Sequence, residues 1–230
     1  MEVKILHLID GAKQAQGLTV IIDVFRAFSV ACYAFGNGAE KIIPLGDIDI
    51  AYKIKKENPN FLLIGERGGK KPSGFDYGNS PTQIENVDFT NKTIIQTTSA
   101  GTQGIANATN SSEIITGGFV NVQAIINYIK KQNPEEVSLV AMGSAGIHIA
   151  DEDKLCAEYI KNALENKPNN FSKIIEHLRE YRSAQKFFDP AKDWAPEKDF
   201  DLCLSINQFN FVLKVEPYDE NQVFFKKIIM

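Results

Sequence analysis

The chain has little cysteine, no surplus of positive charge and no long apolar run, and each shortage narrows what it can be. Its three cysteines in 230 residues, Cys32, Cys156 and Cys203, are far apart and show no Cys-x-x-Cys spacing. That argues against a thiolate metal centre or a disulfide framework and for free thiols in a reducing compartment. Cys32 lies in an apolar helical pattern and reads as a small buried hydrophobe. Cys156 follows several acids, which raise a thiol pKa and disfavour a nucleophilic role. Lys and Arg number 25 against 29 Asp and Glu, a formal charge of -4, which speaks against a general nucleic-acid binder. No window approaches the roughly 20 apolar residues that span a bilayer. The opening MEVKILHLIDGAKQ lacks the basic segment, apolar core and cleavage site of a secretory signal, so a cytoplasmic protein without a membrane partner is expected. Gly-x-x-x-x-Gly-Lys-Ser/Thr and Gly-x-Gly-x-x-Gly are both missing, which disfavours a P-loop or dinucleotide fold.

What is present is alternation. Apolar runs begin at Leu18, Lys41, Phe61, Lys92, Glu113 and Glu136, and amphipathic segments separate them. Leu18 to Val24 is nearly all apolar, as expected of a strand covered on both faces. Asp47 is placed to cap a helix running through Lys55. The pattern predicts an α/β fold, a mostly parallel sheet flanked by helices. From Phe171 it changes. A charged helix is expected over 171–188, then a loop with two prolines and the only tryptophan, a short helix from Asp199 and a closing hairpin from Phe211 and Val223. The chain therefore reads as one domain over 1–230 with a C-terminal α/β extension at 171–230.

Polar clusters fall just after the apolar runs, where open α/β sheets bind ligands. Asp23 ends IIDVFRA, the position of a metal ligand or phosphoryl acceptor. The alternative is a helix cap, with Arg26 either paired to Asp23 or gripping a phosphate or sulfonate. GERGGKKPSGFDYGNSP, residues 65–81, combines Glu66 and Asp76 with Arg67, Lys70, Lys71, Asn79 and Ser80. The mixture suits a cation and an anionic substrate held together; it equally fits a solvated loop. Thr97 to Thr102 is either an anion cradle at a helix N-terminus or ordinary capping. Asp151, Glu152 and Asp153 open a helix. Acids there favour the helix dipole, and at most two of the three can face one site. His148, just before them, is either a ligand or acid/base group or a solvent-facing ring.

Taken together, IIDVFRAFS, GERGGKKPSGFDYGNSP, TTSAGT, GGFVN, the Glu152–Asp153 pair and KDFDLCLSINQ resemble the 2-phosphosulfolactate phosphatase family of coenzyme M biosynthesis, over nearly the whole chain. The resemblance implies an unusual α/β fold and a Mg2+-dependent phosphoric monoester hydrolase acting on a small anionic phosphorylated substrate. It implies Asp23, Arg26, Glu66, Glu152 and Asp153 as catalytic residues, with Asp23, Glu66 and Asp153 toward the metal. Arg67, Asp76, Asn79, Ser80, Thr98, Ser99, Gly101 and Thr102 would bind substrate. Phe28 stands where the family usually has Thr, Ala100 where it has Asn, and Glu158 where it has a small residue.

The chemistry is physically coherent. Phosphoryl transfer needs charge neutralisation and in-line positioning, and magnesium is held by one or two carboxylates plus waters. Asp-Val-Phe-Arg lacks the Asp-x-Asp of common aspartyl phosphatases, which favours attack by a metal-activated water over a phosphorylated carboxylate. Lys70 or Lys71 is placed for a second acidic group of the substrate. The rival reading is a non-catalytic binder of a small phosphorylated or sulfonated acid. A homodimer is left open.

Overall fold

The fold follows from apolar runs that need cover on both faces. In the computed structural model, which describes residues 1–219 and 222–230, these six runs and three further segments make a nine-stranded sheet. The strands are β1 (Glu2–His7), β2 (Gly17–Ile22), β3 (Lys41–Pro44), β4 (Leu62–Gly65), β5 (Thr93–Thr97), β6 (Ser111–Gly117), β7 (Glu136–Ala141), β8 (Phe211–Pro217) and β9 (Val223–Ile229). The helices are α1 (Leu8–Gln14), α2 (Ala27–Gly36), α3 (Ile48–Glu57), α4 (Pro81–Ile84), α5 (Gly101–Asn107), α6 (Val122–Gln132), α7 (Asp151–Leu164), α8 (Phe171–Glu180) and α9 (Lys198–Cys203). None is long and apolar enough, among the described residues, to cross a membrane.

The spatial order is β1-β7-β2-β6-β8-β9-β3-β5-β4. The first four strands pair in parallel, as do the last three. Between these halves lies the β8–β9 hairpin, antiparallel within itself and to both neighbours. The closing hairpin expected at the C-terminus is thus the bridge between two parallel half-sheets. Its joint to β3 is narrow, a single pair Ile42–Phe225.

β2 feeds two cores. Ile21 faces one, while Leu18, Val20 and Ile22 face the other, the two-sided burial that a continuous apolar strand implies. The first core is organised by α2, whose residues Ala27 to Phe35 are all buried. A helix apolar all round belongs in a core rather than on a surface. Around α2 gather Ile21 and Val140 from one half-sheet, Ile42, Ile64 and Ile94 from the other, and Phe211, Leu213 and Phe225 from the hairpin. The chain wraps both half-sheets about this helix, so β2 and β5, distant in the strand order, bring their C-terminal ends together.

Two expectations shift. β1 was not foreseen, because its alternating charged residues belong to an edge strand, where Lys4 pairs with Glu136 of β7 at 2.8 Å. The helix expected over 171–188 ends at Glu180: Tyr181 is extended, with ψ 147°, and a turn carries the chain on to a short 3-10 segment at Gln185–Phe187. Asp47 caps α3 as expected, accepting from the Asp49 N–H at 2.8 Å.

Candidate active site

Loops from both half-sheets meet over a cavity of about 600 Å³. Asp23 and Arg26 enter it after β2, Glu66 and Asn79 after β4, Ser99 and Ala100 after β5, and Gly143, His148, Glu152 and Asp153 after β7. A fifth wall comes from the C-terminal third: Arg182, Ser183, Lys186, Lys192 and Trp194. Of the residues expected at the site, Asp23, Arg26, Glu66, Asn79, Ser99, Glu152 and Asp153 line this one cavity.

Asp23 sits where β2 hands over to α2. Its Oδ1 accepts the Ala27 N–H at 3.1 Å, so it does serve as a cap for the first turn of α2. No described residue donates to its Oδ2, which faces Gly101. A Cβ at Gly101 would lie 2.9 Å from that oxygen and 2.9 Å from the Ala27 Cβ. Gly101 therefore contributes by leaving room for a carboxylate.

Asp153 reaches across from α7 and accepts two backbone donors, Val24 N–H at 2.7 Å and Gly143 N–H at 2.7 Å. It ties the ends of β2 and β7 together. Glu152, beside it, accepts the Ser183 hydroxyl. Glu66 organises the opposite wall. Its Oε1 accepts the Ser99 N–H at 2.6 Å, and its Oε2 accepts the Gly69 N–H at 2.8 Å and the Ser99 hydroxyl at 3.1 Å. Gly69, at φ +85°, packs under Trp194; a Cβ there would stand 2.5 Å from the indole, so only glycine allows this approach.

The electrostatics are those of a buried acidic cluster. Burial pushes the Asp23 carboxyl up to about 6 from its ordinary 3.8; Glu66 and Glu152 add to the rise, while the Ala27 N–H and Lys186 oppose it. Glu152 is raised by burial, against the pull of Lys186 and the Ser183 hydroxyl. Asp153 is raised well above the carboxylate range by burial and then by Asp23 and Glu152, despite its two backbone donors. Lys186, half-buried over the rings of Phe25 and Phe187, is lowered by burial while Glu152 and Asp23 hold it up.

These features fit a divalent cation. The free Asp23 Oδ2 and the repulsion within the cluster, only partly relieved by Lys186, favour added positive charge, and the donors are hard oxygens. No set of three His, Cys, Asp or Glu side chains among the described residues forms a ready-made cage. Magnesium, which keeps several waters, does not require one.

The remaining expected residues lie outside the cavity. Arg67 points to the back of its loop, donating to the Glu66 and Gly46 carbonyls and to Thr97 Oγ1. Asp76 accepts the Leu63 N–H at 2.8 Å and stands 3.7 Å from Lys55. Thr98 and Thr102 cap each other: the Thr98 N–H donates to Thr102 Oγ1 at 3.0 Å, and the Thr102 N–H to Thr98 Oγ1 at 3.2 Å. Ser80 donates to Asp199 at 2.9 Å. Arg26 does not pair with Asp23; its counter-ion is Asp199, at 2.6 Å. Asp151 turns away to His177 at 2.7 Å, leaving Glu152 and Asp153 as the two acids that face the site. Phe28 is in the core against Phe225, so it does not touch the cavity, whereas Ala100 lines it. All three cysteines are free and buried. The Cys156 thiol is pushed up by burial and then by Asp153, as its neighbours in sequence suggested.

Sequence reasoning missed Lys186, Ser183 and Trp194. The one local signal was the density of cations and aromatics between Arg179 and Trp194, which a charged helix also explains.

The profile of the family described as 2-phosphosulpholactate phosphatase matches residues 4–217. A Bacillus subtilis protein named probable 2-phosphosulfolactate phosphatase is 34% identical over 206 residues, covering 88% of this chain and 89% of its own length. One of the same name from Thermotoga petrophila is 34% identical over 218 residues, 90% of this chain and 91% of its own. Another from Pseudothermotoga lettingae is 39% identical over 163 residues, 71% and 69%. With the match running nearly end to end and Asp23, Glu66, Glu152 and Asp153 gathered in one cavity, the chain belongs to the 2-phosphosulfolactate phosphatase family, a family of phosphoric monoester hydrolases.

Proposed function

We propose that the protein hydrolyses 2-phosphosulfolactate, or a closely related small phosphorylated acid, to the hydroxy acid and phosphate, with Mg2+ held at the acidic cluster. The observation that carries this reading is the convergence of Asp23, Glu152 and Asp153 beside Lys186 in one cavity. A binder of anions alone has no use for a buried cluster of carboxylates, whose repulsion only weakens anion binding.

Asp23, through its free oxygen, and one neighbouring acid, Asp153 or Glu66, would hold the ion, with waters completing its shell. When bound, the ion polarises the phosphoryl group and eases deprotonation of water. Lys186 and Arg26 bring positive charge to the substrate oxygens, where phosphoryl transfer needs it most. Glu152 is anchored by Ser183, and burial raises its pKa, which makes its carboxylate a stronger base for the proton of the attacking water. Lys192 and Arg182, on the same wall, are placed for the second acidic group of the substrate. This moves that role from Lys70 and Lys71, which lie outside the cavity lining.

The test is phosphate release from phosphosulfolactate, phospholactate and phosphoglycerate, with Mg2+ and with excess chelator. Mg2+-dependent release, fastest with phosphosulfolactate, is expected. Binding without release in the presence of Mg2+ would establish the non-catalytic reading instead, and full release in chelator would reject the metal.

A further inference from the structure

We propose that Asp199 is a positioning residue that aims one edge of the Arg26 guanidinium into the cavity, where that edge grips an oxyanion of the substrate. The inference rests on the phosphatase reading for the identity of the substrate, and on geometry for the rest.

Asp199 opens α9, is fully buried and does not line the cavity. Its Oδ2 accepts Arg26 Nη1 at 2.6 Å. Its Oδ1 accepts the Ser80 hydroxyl at 2.9 Å and the Thr82 N–H at 2.9 Å. Arg26 Nη1 also donates to the Trp194 carbonyl at 2.9 Å. The walls carrying Arg26 and Asn79 are therefore fastened through one carboxylate, and the wall carrying Trp194 is fastened to them through Arg26.

The fastening selects an edge. Nη1 is committed on both hydrogens, to Asp199 and Trp194. The Phe187 and Trp194 rings lie 5.8 and 5.7 Å from the guanidinium carbon and restrain its plane. What remains is the Nε–Nη2 edge, whose two parallel N–H groups match two oxygens of a carboxylate, sulfonate or phosphate. Arg26 is only 2% exposed, yet its Nε has no hydrogen-bond partner and its Nη2 makes no bond to the described residues. A buried guanidinium donor left open is costly, and Arg26 is part of the cavity lining. Asn79 Oδ1, on the same lining, is also buried without a partner. A salt bridge with a purely structural role would leave neither donor waiting.

The experiment compares wild type, Asp199→Asn, Arg26→Gln and the double variant, with Mg2+ and phosphosulfolactate, on preparations whose folded fraction is measured by melting curves. Asp199→Asn is expected to raise KM and lower kcat/KM by about ten- to a hundredfold, the scale of a misplaced contact group. In the Arg26→Gln background the same change should add almost nothing, because Asp199 acts through Arg26. Product inhibition locates the oxyanion: weakened inhibition by inorganic phosphate assigns the phosphoryl group, weakened inhibition by sulfolactate alone an acidic group. Unchanged KM and kcat in folded Asp199→Asn, or full additivity in the double variant, would overturn the proposal. Should Asp199→Asn not fold, Ser80→Ala removes one bond to the same carboxylate and is expected to raise KM severalfold; a wild-type KM there also overturns it. A wild type that binds sulfolactate but releases no phosphate would sink the phosphatase reading alone, and the comparison of variants then proceeds by calorimetric binding of sulfolactate and phosphate.

Discussion

Replacing Asp23 by Asn should abolish turnover and make the protein more stable. The Asp23 carboxyl rises to about 6 in the fold from an ordinary 3.8. Above both values its ionised form is therefore disfavoured by folding, at about 1.4 kcal/mol per pH unit of difference, or about 3 kcal/mol at full ionisation. The sign is the reverse of a salt-bridged aspartate. Stability is unaffected below pH 3.8, falls as pH climbs from there to about 6, and stays lowered above. Asn keeps the acceptor for the Ala27 N–H and removes the charge; its amide can donate toward the neighbouring carboxylates. In chelator at pH 8, Asp23→Asn should melt higher than wild type, by about 2–4 °C for each kcal/mol in a domain of this size. Near pH 4 the gap should shrink to a small fraction of its value. Mg2+ should raise the melting temperature of wild type and leave the variant unmoved. Melting curves at both pH values, with phosphate release on the same preparations, check each part. An equal or lower melting temperature at pH 8 would refute the account of the acidic cluster, and retained turnover would remove Asp23 from the chemistry.

Lys186→Met should lower kcat/KM by about one to two decades, since one charge-assisted contact is worth roughly 1.5–3 kcal/mol. Its melting temperature should hold, because methionine suits the gap between Phe25 and Phe187; steady-state kinetics at wild-type activity would discard its role. Glu66→Gln turns an amide donor toward the Ser99 or Gly69 N–H and should destabilise by about 1–3 kcal/mol, read as a lower urea midpoint; an unchanged midpoint would contradict the hydrogen-bond network at the loop. Chelation should remove activity, and Mg2+ should restore it. Mg2+ affinity should climb with pH through about 6, where Asp23 ionises, because the ion displaces protons from the raised carboxyls. Calorimetry in buffers of different ionisation enthalpy would report those protons, and a pH-independent affinity with no proton release would count against the cluster as the binding place.

Sequence position anticipated several of the side chains that line the cavity. Asp23, Glu66 and Ser99 each stand at the C-terminal end of an apolar run, and Glu152 and Asp153 open the helix after β7. The topology of a parallel sheet then delivers them to one edge. Residue type was a poorer guide within those same loops. Thr98, Thr102, Arg67 and Asp76 have the chemistry of anion or metal binding but spend their polar atoms on caps, backbone carbonyls and a backbone N–H, because a loop packed between strands must satisfy its own donors and acceptors first. Local composition does not separate the two uses; only the partner does. Lys186, Ser183 and Trp194 were hidden for the opposite reason. They come from the turn after α8, where the expected helix breaks at Tyr181, and they meet Glu152 and Arg26 only through long-range packing.

The same separation explains why the site needs the C-terminal third at all. The loops after β2, β4 and β7 supply acids, and the only cation that these loops turn into the cavity is Arg26, which is already matched by Asp199. An acidic cluster alone repels a phosphorylated dianion. The segment from Arg182 to Trp194 adds Lys186 and Lys192 and closes the indole over Gly69, while α9 brings the carboxylate that orients Arg26. The β8–β9 hairpin that follows joins the half-sheets on which the acids stand. Recognition of an anion and retention of a cation are opposed electrostatic demands within a cavity of about 600 Å³, and the chain meets them by drawing opposite charges from distant parts of the sequence: Lys186 donates to the carbonyl of Phe25, 161 residues away in the loop that carries Asp23.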